Sequence, residues 1–275
     1  MSDAAATAPV RPDGAPAEIS RGRLTRLVAA WIAERTPVAV VRFAEGEGRI
    51  LAAEPGDELS VRVAANKLRR QTGRRYSEDE VFQIKRDVLR AFDEADVVGI
   101  RGSDSFDPEH QMWVERIGEL FAERVAAGRP PAYVVHQLLN RTLAEALPAL
   151  LAGRERVSLV TCRDLRDTVQ ERYGVRDARV FQVPSQFAVR AVDDEFERVL
   201  HDVPIWPHYL RDLRSRLTVR EQGEVFLVGA GLFGKELCIH IRDLGGIALD
   251  LGSSLDTLAG KVTRGPSKPP PYKPA

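Results

Sequence analysis

The 275-residue sequence predicts an α/β protein with a Rossmann-like, mainly parallel sheet of about seven strands and helices on both faces. Three observations support this prediction. Short apolar runs alternate with amphipathic helical segments, the runs are rich in β-branched residues, and turn residues separate them. Strands that alternate with helices form βαβ units, in which the strands run parallel and the helices cover the sheet. No internal repeat or linker interrupts this order, so we predict a single domain.

The first half of the chain is predicted to contain three strands with helices before and between them. Ser20 is a suitable N-cap for a helix whose apolar residues recur at helical spacing. Ser77 and Glu80 form a capping box at the start of a later helix. Asp107 followed by Pro108 is typical of an N-cap and a first helical position. The predicted strands of this half are residues 38–43, 97–100 and 132–135.

The second half of the chain is predicted to contain four more strands. A helix over residues 138–151 precedes the first of them, and Asp164 is expected to cap a short helix that ends at Gly174. Further helices are expected over residues 208–217 and 235–244. The predicted strands of this half are residues 157–161, 180–183, 225–228 and 247–249.

The two ends of the chain differ in composition from the rest. Residues 1–18 and 265–275 are rich in Ala, Pro and Gly and contain few large apolar side chains. Such segments bury too little surface to offset the conformational entropy lost on ordering. We therefore predict two disordered tails, 1–18 and 265–275, around one domain of residues 19–264.

Charge and composition limit the classes of function. The chain has 40 basic and 40 acidic residues and lacks the basic excess of a nucleic-acid carrier, so no nucleic-acid partner is predicted. No apolar run is long enough for a transmembrane segment, and the first residues do not have the pattern of a signal peptide. Two cysteines without a CxxC spacing favour a reduced, cytoplasmic setting. The Arg-rich residues 67–75 leave a peripheral membrane contact open, although a solvated face is the simpler interpretation.

Two carboxylates follow the first long strand at positions i and i+2. In the segment Arg-Phe-Ala-Glu-Gly-Glu-Gly at 42–48, an extended backbone would direct Glu45 and Glu47 the same way. Mg²⁺ and Mn²⁺ are typically held by one or two carboxylates together with substrate phosphates, and Gly46 lets the backbone turn closely around a ligand. We predict that Glu45 and Glu47 bind a metal. The alternative is an acidic, solvated turn.

A GxGxxG pattern, formed by Gly229, Gly231 and Gly234, follows a predicted strand and opens a helix. Asp250 ends the next strand. This arrangement is close to the dinucleotide fingerprint, in which the glycines admit a pyrophosphate and an acidic residue binds ribose. Only about 25 residues follow Asp250, too few to complete an ordinary dinucleotide-binding domain. We therefore predict a diphosphate site here, while glycines that serve only strand–helix packing remain the alternative.

Further polar residues complete the candidate site. Positive side chains near a glycine loop favour an anionic ligand. If the site catalyses a reaction that needs a general base, Asp104, Glu109 and His110 follow the second strand at a suitable place, without a ranking among them. The other candidate ligand-binding residues are Arg42, Lys235, Gly252, Ser253, Lys261 and Arg264, and Asp256 is a second candidate catalytic residue.

Two segments of the chain resemble a known family. Residues 42–47 resemble the Arg-Phe-Gly-Asp-Gly-Glu motif of the GT-D-fold glycosyltransferases, and residues 225–264 resemble that family's C-terminal block. The resemblance implies transfer of a sugar from a nucleotide-sugar donor, typically a UDP-sugar, to a glycan, glycolipid or glycoprotein acceptor, with Mn²⁺ or Mg²⁺. It implies that the metal- and donor-binding Asp-x-Glu motif falls on Glu45 and Glu47. Glu45 stands where the family has Asp, and Ala44 replaces a Gly.

Two other functions stay open at this point. An NAD(P)- or other nucleotide-dependent enzyme would use the glycine loop and Asp250. A non-catalytic nucleotide-sugar-binding protein would be consistent with Glu45 in place of the family's Asp. The leading expectation is a metal-assisted, UDP-sugar-dependent hexosyltransferase that acts in glycan biosynthesis.

Overall fold

The computed structural model describes residues 17–100, 108–128, 133–136, 139–185, 196, 199–200 and 203–261. Its strands are β1 (Ala17–Glu18), β2 (Val38–Arg42), β3 (Val97–Ile100), β4 (Tyr133–His136), β5 (Arg156–Thr161), β6 (Asp177–Gln182), β7 (Val225–Gly229) and β8 (Ile247–Asp250). They form one sheet in the order β1-β4-β3-β2-β8-β7-β5-β6, and every neighbouring pair is parallel. The predicted α/β class is confirmed: β2 to β8 are the seven predicted strands, and β1 is a two-residue edge strand.

Helices fill the connections between the strands. They are α1 (Arg21–Glu34), α2 (Glu45–Leu51), α3 (Glu58–Thr72), α4 (Glu78–Glu94), α5 (Pro108–Ala126), α6 (Leu139–Leu151), α7 (Arg166–Tyr173), α8 (Leu210–Arg216), α9 (Gly234–Asp243) and α10 (Ser254–Leu258). The predicted caps of α1 and α4 are confirmed. Ser20 Oγ accepts a hydrogen bond from the Arg23 amide, and Ser77 and Glu80 each accept a hydrogen bond from the other's amide.

The core lies in two layers, one on each face of the sheet. Along β2, Val38 and Val40 belong to the layer under α1, α6 and α7, whereas Ala39 and Val41 belong to the layer under α2, α4 and α9. All four residues are buried, as expected for a strand that is covered on both faces. The helices therefore cover both faces, as predicted.

Two helices near the start of the chain were not predicted. Residues 45–51 form α2 instead of an extended segment, and α3 occupies residues that were predicted only as a basic surface. Glycine weakens helices, so the Glu-Gly-Glu-Gly sequence gives little local indication of α2. The helix is favoured by packing, because it lies so close to α5 that a Cβ on Gly48 would stand 2.0 Å from the Trp113 carbonyl oxygen.

The predicted N-terminal tail extends two residues too far. Ala17 and Glu18 form β1 and pair with Tyr133 and Val134 of β4. Residues 1–16 lie outside the described residues, as do the last residues of the predicted domain and the tail at 265–275. Within the described part, no helix is long and apolar enough to cross a membrane.

The order of the strands determines where a ligand site can form. Strands β1 to β4, from the first half of the chain, form one side of the sheet, and strands β5 to β8, from the second half, form the other. The two sides meet where β2 lies next to β8. In open α/β sheets, ligands bind beyond the carboxyl ends of the strands at such a point. The segments after β2, β7 and β8 carry most of the predicted site residues.

Candidate functional site

A cleft of about 270 Å³ opens at the carboxyl ends of β2, β5, β7 and β8. The first turn of α2, one face of α3, the residues after β5 and β6, and the glycine loop after β7 form its walls. This is the edge of the sheet at which the sequence analysis placed the site. The predicted site residues that line the cleft are Arg42, Glu45, Gly46, Glu47, Gly229, Gly231, Lys235, Gly252, Ser253 and Asp256.

A buried group of charges forms the floor of this cleft. Lys235 Nζ donates a hydrogen bond of 2.5 Å to Asp250 Oδ2 and lies 3.6 Å from Glu47 Oε1. Lys235, Asp250 and Glu47 are only 2%, 1% and 6% exposed. Burial by itself lowers the pKa of Lys235, but the carboxylates of Asp250 and Glu47 outweigh it and hold the pKa above its ordinary value. The ammonium is therefore charged and is neutralised by the protein.

Both carboxylates of this group also fix the backbone at the end of β2. Asp250 Oδ2 accepts a hydrogen bond of 3.1 Å from the Arg42 amide, and Glu47 Oε2 accepts one of 2.9 Å from the Ala44 amide. Asp250 stands where the dinucleotide fingerprint has the acidic residue that binds ribose, yet its carboxylate is buried and bound to Lys235. This placement connects β8 to β2 and disfavours the ribose contact of a dinucleotide site.

The expected geometry of Glu45 and Glu47 is wrong. Both residues lie in the first turn of α2, where residues i and i+2 point in nearly opposite directions around the axis, because each residue turns the helix by about 100°. Glu47 therefore faces the buried Lys235, whereas Glu45 is partly exposed at the cleft. Among the described residues there is no group of three or more His, Cys, Asp or Glu side chains that could hold a metal.

The glycine loop has mixed roles. A Cβ on Gly229 would lie 2.8 Å from Leu255 Cδ1, and a Cβ on Gly234 would lie 3.3 Å from Val228 Cγ1, so these two glycines permit close packing. Gly231 lines the cleft, as Gly229 also does, and it differs from the other two because its φ is +57°, a conformation that favours glycine. The loop thus combines two packing glycines with one that shapes the site.

A second ion pair lies on the side of the cleft formed by β5 and α10. Arg163, which follows β5, is only 4% exposed, and its Nε donates a hydrogen bond of 3.0 Å to Asp256 Oδ1. The neighbouring Cys162 also lines the cleft, and burial raises the pKa of its thiol to about 11. Arg163 was not among the predicted site residues, although its place directly after a strand was a usable signal.

Helix α3 contributes two side chains that the sequence analysis did not assign to the site. Lys67 and Gln71, one helical turn apart, both line the cleft opposite Gly46. Nothing in the local sequence distinguishes Lys67 from the arginines that follow it on the same helix. The position of Lys67 in the wall of the cleft becomes visible only once α3 is placed against α2.

Three buried polar atoms in this cleft have no hydrogen-bond partner in the described part of the chain. They are Arg42 Nε, Gln71 Oε1 and Ser185 Oγ. Ser185, which follows β6, is only 8% exposed. Buried polar atoms are nearly always hydrogen-bonded in proteins, so these three atoms are available to hydrogen-bond a polar ligand in the cleft.

Several predicted site residues do not join the cleft or cannot be placed. Lys261 follows α10, where its amide donates a hydrogen bond of 2.8 Å to the Asp256 carbonyl, and it is not among the lining residues. Asp104 and Arg264 lie outside the described residues. Glu109 and His110 belong to α5, but their side chains are not among those described.

No protein-family model matches the chain, and no curated protein matches it in sequence. Three solved structures are similar to it, each at 14% sequence identity. One, described as a new glycosyltransferase from Streptococcus sanguinis containing domain of unknown function 1792, covers 90% of this chain and 86% of its own, with a TM-score of 0.48. A second, described as showing that this domain has a distinct glycosyltransferase fold, covers 88% and 87%, with a TM-score of 0.45. The third, a selenomethionine-substituted structure of the same domain, covers 88% and 87%, with a TM-score of 0.44.

Proposed function

We propose that this chain is a glycosyltransferase that moves a sugar from a UDP-sugar to a hydroxyl of a glycan, glycolipid or glycoprotein acceptor. One observation carries the proposal. The two segments that resemble the GT-D-fold family, 42–47 and 225–264, meet at a single cleft although most of the chain lies between them. Arg42 N is 3.1 Å from Asp250 Oδ2, and Glu47 Oε1 is 3.6 Å from Lys235 Nζ.

The charges of the cleft suit the chemistry of glycosyl transfer. The bond between the anomeric carbon and the phosphate oxygen breaks, and its electron pair stays on the departing diphosphate. The acceptor oxygen bonds to the anomeric carbon, and its proton passes to a base. Fixed cations near the departing oxygen lower the barrier because negative charge develops there. Arg42 is the predicted cation whose Nε has no partner within the described residues, and we assign it to the diphosphate.

Of the two predicted metal ligands, Glu45 is the one that suits a divalent metal. Glu47 has one carboxylate oxygen bound to the Ala44 amide and the other facing Lys235, so its charge is already compensated. Glu45 places a carboxylate at the cleft, and Mg²⁺ and Mn²⁺ are often held by a single carboxylate together with substrate phosphates. When bound, such a metal would stabilise charge on the phosphate oxygens. In this proposal Glu45 is the metal ligand and Glu47 is a positioning residue.

The remaining assignments follow from the position of each side chain. Asp256 lies at the cleft beside Arg163 and is proposed to accept a hydrogen bond from a sugar hydroxyl. Gly231, Gly252 and Ser253 form the loop edges that the donor would approach. Both cysteines are free, in keeping with the proposed cytoplasmic setting.

The proposal is tested by ligand-dependent thermal stability followed by donor turnover. The protein is heated with UDP, UDP-glucose, UDP-galactose, GDP-mannose, NAD⁺ or NADPH, each with and without Mn²⁺. A ligand present at 100 times its Kd stabilises the folded state by about 2.7 kcal/mol, which is easily measured. We expect stabilisation by the UDP compounds that increases with Mn²⁺, and release of UDP from one of the sugars. Stabilisation by NAD⁺ or NADPH alone would contradict the proposal.

A pair of variants separates the metal site from the rest of the cleft. Glu45→Gln should remove the additional stabilisation by Mn²⁺ and keep that by UDP alone. Glu58→Gln, which removes an exposed carboxylate from the first turn of α3, is the matched control and should behave as the unsubstituted protein. A protein that binds UDP-sugars and releases no UDP with any acceptor would instead be a nucleotide-sugar-binding protein.

A further inference from the structure

The side chain of Lys67 lines the cleft, and its far end lies directly over Gly46. A Cβ added to Gly46 would stand 2.9 Å from Lys67 Cε and 3.2 Å from Lys67 Nζ, and 4.0 Å from Gln71 Nε2. Any larger residue at position 46 would therefore displace the end of the lysine side chain. The absence of a side chain at Gly46 allows the ammonium group carried by α3 to reach the first turn of α2, where Glu45 lies.

Lys67 also differs in charge pairing from two of the other cations in the cleft. Lys235 is paired with Asp250 and Glu47, and Arg163 is paired with Asp256. In the part of the chain that the structure describes, neither Arg42 nor Lys67 forms an ion pair. Arg42 stands at the end of β2, and Lys67 stands on α3 with the end of its side chain over Gly46. Of the four cations that line the cleft, they are the two without an ion pair among the described residues.

We propose that Lys67 binds the diphosphate of the donor together with Arg42, and that Gly46 is required because it gives Lys67 access. This inference rests on the proposed function and adds to it a residue outside both segments that carry the family resemblance. A diphosphate carries several negative charges on oxygens that accept hydrogen bonds from an ammonium and a guanidinium. Gln71 and Ser185, with their unpartnered buried oxygens, would then contact hydroxyl or base groups of the same ligand.

The test is isothermal titration calorimetry of uridine, UMP, UDP and inorganic pyrophosphate with the full chain and its variants. Lys67→Met should weaken UDP binding about 10- to 100-fold, the range expected for the loss of one hydrogen bond to a charged group. Uridine binding should not change, because uridine has no phosphate. Arg70→Met removes a cation from the exposed face of the same helix and is the matched control, with UDP binding unchanged.

A second variant tests the role of Gly46. Gly46→Ala adds a methyl group whose nearest neighbour is the flexible end of Lys67, and alanine favours a helix more than glycine does. We expect the protein to fold with an unchanged or higher Tm and to bind UDP as weakly as Lys67→Met. The double variant should be no weaker than either single variant, because both remove the same contact.

The outcomes distinguish this inference from the proposed function. If the unsubstituted protein binds UDP and Lys67→Met binds it equally well, the inference is wrong and the proposed function stands. If the protein binds pyrophosphate but no UDP, and Lys67→Met loses pyrophosphate, the anion site at Lys67 is supported and the UDP-sugar donor is not. If neither UDP nor pyrophosphate binds, both are overturned.

Discussion

Lys235 Nζ lies 2.5 Å from Asp250 Oδ2, and both side chains are almost completely removed from solvent. The pair connects the first turn of α9 to the end of β8, and Asp250 extends the connection to β2 through the Arg42 amide. Taking charges out of water is costly, so removing either partner of this pair leaves the other as a buried charge without its counter-ion. The pair is therefore a structural part of the cleft floor, at the place where β2 and β8 pair.

The first prediction concerns the stability that depends on this pair. Lys235→Met leaves the carboxylates of Asp250 and Glu47 buried without their cation and should lower the free energy of unfolding by about 3–5 kcal/mol, measured by urea denaturation. The control is Arg166→Met, which removes one partner of the more exposed pair with Asp164 and should cost less than about 1 kcal/mol. Equal losses in the two variants would contradict the structural role of Lys235.

The second prediction concerns the contact between α2 and α5. Gly48→Ala would place a Cβ 2.0 Å from the Trp113 carbonyl oxygen, so the helices must separate and the Tm should fall by several degrees. Gly118→Ala, within α5, meets no atom within 4 Å and should raise stability by about 0.5–1 kcal/mol, because alanine is the better helix former. A stable Gly48→Ala protein would show that the helices pack less closely than described.

The strands could be predicted from the sequence because each is covered on both faces of the sheet. A strand such as β2 must then be largely apolar, and the four apolar residues at 38–41 are visible without any knowledge of their neighbours. The side of the sheet that holds the site also followed from the sequence, since parallel strands bring their carboxyl ends together. The predicted caps at Ser20 and Ser77 succeeded because capping is a local interaction.

The interactions that complete the site could not be predicted because they join distant parts of the chain. Glu45 and Glu47 were expected in an extended segment, since glycines at alternate positions weaken a helix, and the packing of α2 against α5 overrides that local preference. The sequence indicates that Lys235 and Asp250 follow strands but does not indicate that they neutralise each other. Lys67 resembles a solvated surface residue until α3 is placed beside Gly46.

The third prediction concerns the reactivity of the thiol in the cleft. Burial raises the pKa of Cys162 to about 11, so roughly one thiol in a thousand is ionised at pH 8. Iodoacetamide should therefore label Cys162 slowly at pH 8, and the rate should increase through pH 10, because the thiolate is the reactive form. The buried Cys238 should be labelled only in urea, and Cys162→Ser identifies which cysteine has reacted. Rapid labelling of Cys162 at pH 8 would contradict the burial described here.

The fourth prediction concerns the pH dependence of stability and the role of His240 in α9. Burial, with a contribution from the nearby charge of Arg214, holds the pKa of His240 below its ordinary value, although His240 Nε2 donates a hydrogen bond of 3.0 Å to the Arg214 carbonyl. The unfolded chain binds a proton at His240 more readily than the folded protein does. The contribution of His240 to stability is therefore complete above pH 6.5, the ordinary pKa of histidine. That stabilisation is lost as the pH falls through the depressed pKa.

The contribution of His240 is measured as the difference in free energy of unfolding between the unsubstituted protein and a variant. A difference is needed because other groups change the stability in the opposite direction as the pH falls. Burial raises the pKa of Glu236 and Asp87, so these carboxyls favour the folded state as the pH falls. His240→Gln keeps a donor for the Arg214 carbonyl and cannot be protonated. Its free energy of unfolding should therefore fall less than that of the unsubstituted protein between pH 7 and pH 5. His208→Gln, which replaces an exposed imidazole, is the control, and identical pH profiles for His240→Gln and the unsubstituted protein would show that His240 is not the responsible group.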